Sequence, residues 1–534
     1  MIPDMDRGNS GCSSILAALM LLGVGTTICA QGLVPYNDAN AGIALRAPKW
    51  MQSAPPKTGD RQVLAQFEGT QKSTAKDFRR DVDLQIWVVR IERQKAATTG
   101  DKDKPENPKS FADMKLAQLN SGTNLGEFLQ HRDREATIAE NAGYFGKKPL
   151  SDPDGHPFKV FESRNFAGNA TTWVSMLAFL TETDAEYFGL VAMGDGATAF
   201  ENEVLAVLKT LHRISPDTKA TEDPYANSAL RGLDRRRQVR AELVPGWHAV
   251  DTENYIVVTN VKTKIIDDIC IDLEVMRNAY MERFPPAEGA DMSAVSTVRV
   301  CDGYDDFLGY AGKESDGLGG YWSPLEEELV IFNPEKKVPT ERPWLKGVEP
   351  LDVLHHEAMH QYFHYSNRQL SPASWFNEGY GEVFGGCDVD RKAMKIKRFR
   401  TNSFRMKWIR EMRKRPGAPD LATMMRATQA QFYYNGGVME NYANAWSFCY
   451  FLEQERQKPE GKRNEKWAQL PQRYLQHLRE ATDKVRANMP KGAPDDWIMG
   501  FEDEIQDEAI KATLGEIDAE ELEKAWLKAQ TTLK

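Results

Sequence analysis

The segment at residues 351–365 restricts the fold of this chain more than any other stretch does. It reads LDVLHHEAMHQYFHY, and its apolar residues recur at the spacing of a helix with one buried face. Within it, His356, Glu357 and His360 form the pattern HExxH. Side chains four residues apart lie on one face of a helix, so the two imidazoles can share one metal ion. The sequence therefore predicts a buried helix that carries a metal site.

The residue between the two histidines suggests what such a site would do. Glu357 directly follows the first histidine, which places its carboxylate to take a proton from a water that the metal activates. The alternative is a core helix whose two histidines are satisfied by their neighbours. Two histidines also leave a catalytic zinc one protein ligand short, because such sites use three protein ligands. Residues 375–382 read WFNEGYGE, and Glu378 could be that ligand or a solvated helix carboxylate.

The order HExxH then WFNEG resembles the gluzincin zinc peptidases, especially the peptidase MA-like proteins and, more distantly, the aminopeptidase N-type enzymes. The resemblance is specific over residues 351–386 and looser over 246–455. It implies a thermolysin-like domain, Zn²⁺ as cofactor and a peptide or protein substrate. It also implies roles for four residues: zinc ligands His356, His360 and Glu378, and general base Glu357. The string GGVMEN is similar to the aminopeptidases' substrate-amine motif, but it follows HExxH here, so no aminopeptidase role is expected.

Three further positions complete the expected site. Gluzincins often use a downstream Tyr or His to stabilise the oxyanion, and residues 433–446 offer three tyrosines. We expect Tyr442 in this catalytic role and Tyr434 as the second candidate; the alternative is aromatic packing in the core. Glu382 lies four residues after Glu378 and could accept the ring N–H of a ligating histidine, or be an ordinary surface glutamate. His355 is expected to point elsewhere, whereas His364, one turn beyond His360, could hydrogen-bond nearby but is not expected to reach the same ion.

The N-terminal third reads as a separate unit. It begins with GIALRAPKW at residues 42–50, continues with strand-like runs, and closes with the helical pattern FENEVLAVLKTLHRI. This arrangement resembles PsbP- or Mog1-like α/β domains over roughly residues 35–213. The resemblance implies a binding or scaffolding module in this part of the chain.

A chain of 534 residues is too long for one hydrophobic core, so several domains are expected. The predicted divisions are a signal peptide (1–30), a PsbP/Mog1-like domain (31–214), a polar linker (215–243), a gluzincin metallopeptidase-like domain (244–455) and a helical C-terminal region (456–534). The predicted fold class is α+β: an N-terminal α/β sandwich followed by a thermolysin-like domain with a helical C-terminal part. The strand Glu328–Phe332 is expected to be the sheet edge along which an extended peptide lies.

The N-terminus indicates export. Ser13–Ala30 is an apolar run that ends in small residues and resembles a secretory signal peptide cut after Ala30; a retained membrane anchor is the alternative. No later segment approaches eighteen apolar residues, so the mature chain is expected to lack a membrane span and to be secreted or periplasmic. The net charge of −10 disfavours nucleic acid as a partner.

Four cysteines follow the predicted leader: Cys270, Cys301, Cys387 and Cys449. Disulfides and buried free thiols are both compatible with an even number of cysteines in an exported protein. The function expected from the sequence is that of a secreted zinc peptidase. The alternatives are a binding protein that keeps the metal helix without turnover, and a hydrolase of a non-peptide amide.

Overall fold

A computed structural model describes residues 32–57, 60, 62–72, 81–93, 128–129, 137–146, 148–167, 171–194, 200–215, 223–226, 228–312, 315–337, 342, 345, 348–414, 420–434, 437–490, 493 and 495–533. The predicted signal peptide, with its cut after Ala30, lies outside these residues. Over the described ranges the chain is a mixed α/β protein with several sheets.

Among the described residues, the N-terminal part contains two antiparallel sheets and a helix that packs on one of them. Its strands are β1 (Leu33–Asp38), β2 (Ile43–Pro48), β3 (Gln52–Ala54), β4 (Val63–Lys72), β5 (Asp81–Glu92), β6 (Thr137–Glu140), β7 (Lys159–Ala167), β8 (Thr171–Glu182), β9 (Glu186–Met193) and β10 (His212–Arg213). They form a seven-stranded sheet of order β3-β4-β5-β9-β8-β7-β6 and a three-stranded sheet of order β1-β2-β10.

Both faces of the seven-stranded sheet are buried near its centre. Side chains alternate between the faces of a strand. Ile86 and Val88 of β5 therefore join the cluster that contains Val204 of helix α1 (Glu201–Leu208), whereas Val89 joins a cluster on the opposite face. The helix covers one face because its apolar residues recur at helical spacing.

The remainder of the described chain starts with a mixed five-stranded sheet. Its strands are β11 (His248–Asp251), β12 (Tyr255–Thr259), β13 (Ser296–Cys301), β14 (Gly320–Ser323) and β15 (Glu328–Phe332). The order is β11-β12-β13-β15-β14; the central pairs are parallel and the two outer pairs antiparallel. One face of this sheet contributes to the largest core cluster of the described chain.

Helices pack on both faces of this sheet and extend to the C-terminus. They are α2 (Leu233–Ala241), α3 (Ile265–Arg283), α4 (Tyr304–Ala311), α5 (Pro350–Ser366), α6 (Ser374–Gly385), α7 (Ser403–Met412), α8 (Leu421–Met425), α9 (Gln429–Tyr433), α10 (Val438–Gln457), α11 (Glu465–Ala487), α12 (Glu502–Gly515) and α13 (Ala519–Thr532). A hairpin of β16 (Cys387–Asp390) and β17 (Lys395–Phe399) follows α6. Aromatic residues of α5, α6, α10 and α11 meet in the core, with Trp375 of α6 fully buried at its centre.

The expectation that Glu328–Phe332 forms the sheet edge is wrong. This strand, β15, lies between β13 and β14, and β14 is the edge strand beside α5. The Gly-rich stretch before Tyr321 leads into β14, which begins at Gly320, and glycines are needed there because a side chain would not fit. A Cβ at Gly319 would lie 2.7 Å from Val348 Cγ1, and one at Gly320 would lie 2.7 Å from the Val330 carbonyl oxygen.

The predicted linker, residues 215–243, contains helix α2, which packs against β11 and β12. Arg236 of this helix is fully buried. Its Nη1 donates to Asp251 Oδ1 at 2.7 Å and its Nη2 donates to the Thr252 carbonyl oxygen at 2.9 Å. A polar linker is expected to be solvated, but a guanidinium has five donors, and here carbonyl oxygens and a carboxylate accept from it. The described part of this segment is therefore ordered structure.

The four cysteines of the described chain are free thiols, three of them buried and Cys270 half-buried. Burial raises the pKa of Cys301 and of Cys387, so neither is a reactive thiolate near neutral pH. Across the described residues, no helix has both the length and the apolar character needed to cross a membrane.

Candidate metal centre

The centre lies between helices α5 and α6. Helix α5 begins with Pro350 at its first position, where the missing N–H costs nothing, and carries both histidines one turn apart. Helix α6 approaches it closely because glycines face the contacts. A Cβ at Gly381 would lie 2.9 Å from His356 Nε2, and one at Gly385 would lie 2.8 Å from the Asp352 carbonyl oxygen. The YGEVFG sequence therefore brings α6 against the imidazoles.

Three predicted ligands meet across this contact. His356 Nε2 lies 3.1 Å from Glu378 Oε2, and His360 Nε2 lies 3.6 Å from Glu378 Oε1. The two imidazole ring centroids are 4.6 Å apart. Ligands held at zinc bond lengths in a tetrahedral site lie about 3.3 Å from one another. These two separations lie on either side of that value, and ligand atoms of the two histidines lie within 4.8 Å of each other, so the three side chains are close enough to share one small metal ion.

The second carboxylate near the histidines belongs to Glu357. Ligand atoms of His356, Glu357 and His360 lie within 4.8 Å of one another, so this side chain could also reach a metal. Glu357 Oε2, however, accepts the backbone N–H of Trp322 at 3.0 Å, whereas Glu378 contacts both imidazoles directly. The closer contacts identify Glu378 as the third ligand candidate and leave Glu357 beside the centre.

Neighbouring polar groups hold the ligands in place. Asn377 Oδ1 lies 3.0 Å from His360 Nδ1, and accepting its proton would leave Nε2 unprotonated for a metal. The Tyr433 hydroxyl donates to Glu378 Oε1 at 2.5 Å. Neither partner was predicted from the sequence. Asn377 was visible as the residue before Glu378, but Tyr433 lies 55 positions away, and no local pattern distinguishes it from Tyr434.

The charges of the site are strongly coupled. Burial would raise the pKa of Glu378, but His360 and His356 outweigh burial and hold it well below its usual range. Burial lowers the pKa of His360, but the Glu378 carboxylate prevails and raises it to about 9. A metal must therefore displace a proton from His360, and its binding releases that proton. Burial raises the pKa of Glu357, although the two nearby histidines lower it in part. A raised pKa suits a base that works near neutral pH.

Glu382 lies near the centre, but its closest partners are on helix α7 and the residue before it. Its Oε1 is 3.8 Å from His356 Nδ1, which is longer than a hydrogen bond. Arg405 donates to Oε1 at 2.6 Å and to Oε2 at 3.0 Å, and Asn402 Nδ2 donates to Oε2 at 2.8 Å. The predicted hydrogen bond of Glu382 with a ligating histidine is thus not formed, and the two groups lie 3.8 Å apart.

The two candidate tyrosines occupy different environments. Tyr442 lines the same cleft as His356 and Glu357, and the Arg405 guanidinium lies 4.7 Å from its ring centroid. Tyr434 is 83% exposed and does not line this cleft. Burial raises the pKa of Tyr442, so its hydroxyl keeps its proton and can donate.

The remaining two histidines of α5 lie outside the ligand set. His355 is buried on another face of the helix, with Nε2 3.5 Å from Asp272 Oδ2 and Nδ1 3.8 Å from Cys387 Sγ. His364 packs beside Trp322 and Tyr365, and burial lowers its pKa to about 4.

The centre opens into a cleft of about 580 Å³. One wall is the Gly-rich segment that ends in β14, and the other is built from α7 and the start of α10. Three large apolar side chains on these walls are exposed: Leu318, Phe404 and Met439. The cationic side chains of the cleft are already paired, Arg405 with Glu382 and Arg400 with Asp352. The fold and the site together define a mixed α/β protein with a His₂Glu candidate metal centre in an open cleft.

In the comparison with known protein families, one family matches part of the chain, and the description of that family gives no function. Residues 351–462 match the family described as "Protein of unknown function (DUF1570)". This range contains every side chain of the candidate centre. No curated protein matches the chain. Among solved structures, the chain is similar to the solution structure of cyanobacterial PsbP (CyanoP) from Synechocystis sp. PCC 6803, at 15% identity over 36% of this chain and 98% of that one. The TM-score of 0.20 is too low for this likeness to define a fold.

The close approach at Gly381 leads to a specific prediction. Replacing a helical Gly by Ala normally favours the helix by about 1 kcal/mol. In Gly381→Ala, however, the new methyl group would push the His356 ring out of position. We expect zinc affinity to fall about 10- to 100-fold, the loss typical when a ligand's supporting contacts change. Competition titration with a chelating dye measures it.

The matched control is Gly386→Ala, just past the end of the same helix. Its Cβ would have no atom nearer than 3.4 Å, so zinc affinity should stay within about twofold of the parent. Equal affinities in all three proteins would contradict a metal site at His356.

Proposed function

We propose that this chain is an exported zinc-dependent peptidase of thermolysin-like, gluzincin type. The observation that carries the proposal is the convergence of His356, His360 and Glu378, with the Glu357 carboxylate beside them in an open cleft. The donor types are those of catalytic His₂Glu zinc sites. On the same proposal, the N-terminal part is a PsbP- or Mog1-like module that binds partners or presents substrate.

Each residue has a stated role in the proposed reaction. When bound, zinc would act as a Lewis acid that polarises the scissile carbonyl and acidifies water. Glu357 takes the proton of the attacking water and later delivers it to the leaving amine. The Trp322 N–H fixes one oxygen of its carboxylate, and the other receives no hydrogen bond from the described residues. One hydrogen bond therefore orients the Glu357 carboxylate, and its second oxygen remains available to accept a proton from water.

A second donor is needed where negative charge develops on the substrate oxygen. Tyr442 faces the cleft with a protonated hydroxyl and is the candidate for this role. Tyr433 instead positions the Glu378 ligand through its hydrogen bond. Tyr442 also interacts with the Glu378 carboxylate, so both tyrosines contact the proposed ligand, and Tyr442 alone is assigned a role toward the substrate as well.

The cleft suits an extended polypeptide. Strand β14 is the sheet edge next to α5, and a substrate segment could pair with it. The exposed side chains of Leu318, Phe404 and Met439 offer apolar surface on the walls, whereas the nearby arginines are paired with carboxylates. We therefore favour a substrate with a bulky apolar residue close to the scissile bond.

The direct test is hydrolysis of an unstructured protein, such as casein, by the purified chain. We expect cleavage that a chelator abolishes and that added zinc restores. Cleavage products identified by mass spectrometry should begin or end at apolar residues. Persistence of cleavage after removal of the metal would contradict the mechanism. A zinc-loaded protein that cleaves no peptide, ester or amide substrate would favour a binding module.

A further inference from the structure

The N-terminal part contacts the five-stranded sheet on the face that lies away from helix α5. A cavity of about 350 Å³ lies between them, with one wall from the N-terminal part and the other from helix α2 and the segment that follows it. Asn40 Nδ2 donates to the Leu243 carbonyl oxygen at 2.9 Å. A Cβ at Gly309 of helix α4 would lie 2.8 Å from Glu68 Oε1 of strand β4. The two parts therefore meet at several points along this face.

The segment after strand β3 carries a lysine into this interface. It reads Pro55, Pro56, Lys57, and two consecutive prolines stiffen the backbone that leads to the lysine. Lys57 is half-buried, and its Nζ lies 4.5 Å from the ring centroid of Tyr310 on helix α4. The same Nζ donates to the Tyr321 hydroxyl at 3.5 Å. A lysine of the N-terminal part thus contacts two aromatic side chains of the metal-site part.

The aromatic ring that receives this lysine is itself held in place. The Tyr310 hydroxyl donates to Glu328 Oε2, and Arg299 Nε donates to Glu328 Oε1 at 2.9 Å. All three side chains are buried, and the Arg299 guanidinium lies 4.1 Å from the ring centroid of Tyr310. Because the Glu328 carboxylate balances the charge of Arg299, the ring can also attract the Lys57 ammonium group. The contact is therefore made to a preformed surface.

Tyr321 connects this interface to the sheet edge beside the metal centre. It belongs to β14, the edge strand, which pairs with β15. Successive side chains of a strand point to opposite faces, so Tyr321 packs on the side of α4 and Trp322 packs on the side of α5. The Trp322 N–H donates to Glu357 Oε2 at 3.0 Å. Strand β14 is thus held from one face by α5 and from the other by Lys57.

We infer that the N-terminal part stabilises strand β14 in the position in which it pairs with substrate, and that Lys57 is the positioning residue. The inference rests on the proposed peptidase function, because it requires a substrate that pairs with β14. A strand that is already ordered costs less conformational entropy to bind than one that must be ordered first. The candidate metal ligands and the base are carried by α5 and α6, so Lys57 acts on substrate binding and not on the chemical step.

Steady-state kinetics of the full-length protein on an unstructured peptide test this role. Lys57→Ala should raise KM about 5- to 10-fold and leave kcat within about threefold, because it removes binding that substrate and transition state share. Lys57→Arg keeps a cation that can lie over the Tyr310 ring, so its KM should return close to that of the parent. Lys49→Ala is the matched control, since this exposed lysine of the N-terminal part does not line the interface cavity.

A second variant tests whether Lys57 acts through Tyr321. Tyr321→Phe removes the hydroxyl that accepts from Lys57 and should also raise KM. The double variant Lys57→Ala, Tyr321→Phe should be no worse than Lys57→Ala alone, because both changes remove one shared contact. Three results would each overturn the inference: an unchanged KM in Lys57→Ala, a similar rise in Lys49→Ala, or effects of the two substitutions that multiply.

Amide hydrogen exchange distinguishes this inference from the proposed function. Peptides that contain β14 should exchange faster in Lys57→Ala than in the parent, whereas peptides from α5 should exchange at the parent rate. If the parent cleaves no peptide but β14 shows this change, the peptidase proposal fails and the support of β14 by Lys57 stands. Equal exchange of β14 in the two proteins would refute that support, whatever the activity.

Discussion

Replacing Glu357 by Gln should leave the metal in place and remove most of the turnover. The amide has nearly the same shape and can still accept the Trp322 N–H, but it cannot hold the proton of the attacking water. General-base catalysis contributes about 10²- to 10⁴-fold, so we expect kcat to fall by about that factor with KM nearly unchanged. Steady-state assays on a cleavable peptide, beside elemental analysis for zinc, measure both quantities.

The matched control is Glu349→Gln. Glu349 is an exposed carboxylate on the wall of the same cleft, at the residue before helix α5. Its replacement changes the charge of the cleft equally but removes no proposed catalytic group, so kcat should stay within about threefold of the parent. Full activity of Glu357→Gln would exclude this residue as the base, whereas loss of its zinc would place it among the ligands.

Replacing His360 by Ala should abolish stoichiometric zinc binding. The three proposed ligands would become two, and the Glu378 carboxylate would lose one of the two imidazoles that it contacts. Bound zinc stabilises the folded state by about 4 kcal/mol when its concentration is about a thousand times the dissociation constant. A chelator should therefore lower the unfolding temperature of the parent protein but not that of His360→Ala. Elemental analysis and thermal unfolding, each with and without chelator, test this prediction.

His364→Ala controls for the loss of an imidazole from the same helix. His364 lies one turn beyond His360 and packs beside Trp322 and Tyr365, outside the ligand set. Its variant should keep its zinc and its response to chelator, even if aromatic packing is weakened. A parent protein that contains no metal and does not take up added zinc would refute the centre. The alternative of a binding module would then be the better hypothesis.

The sequence was most informative at the HExxH segment, where metal-binding residue types recur at the spacing of a helix. Spacing of four residues on an apolar helix places His356 and His360 on one face, and this follows from helix geometry alone. The sequence WFNEG then suggested Glu378, which the structure brings next to both imidazoles. In contrast, no spacing rule connects Tyr433 to Glu378. Their contact depends on how α9 packs against α6, and that packing is a tertiary property.

The sheet edge shows a different limit of sequence-based reasoning. The apolar run ELVIF predicts a buried strand, and β15 is buried, but an apolar run is typical of a central strand and not of an edge. The true edge, β14, starts in a Gly-rich segment that carries almost no strand signal. It becomes a strand because it pairs with β15, and its position between β15 and α5 requires glycines.

Helix α2 determines where the chain can be divided for separate expression. Because Arg236 and Arg240 neutralise Asp251, a fragment that starts at residue 244 would leave that carboxylate without either guanidinium. The Tyr225 hydroxyl also donates to Asp251, at 2.9 Å. The C-terminal part therefore includes Tyr225 and helix α2, which precede its first strand, β11, and which we call its N-terminal cap. A fragment intended for crystallisation or for screening of substrates should begin before Asp223, so that it carries this cap with it.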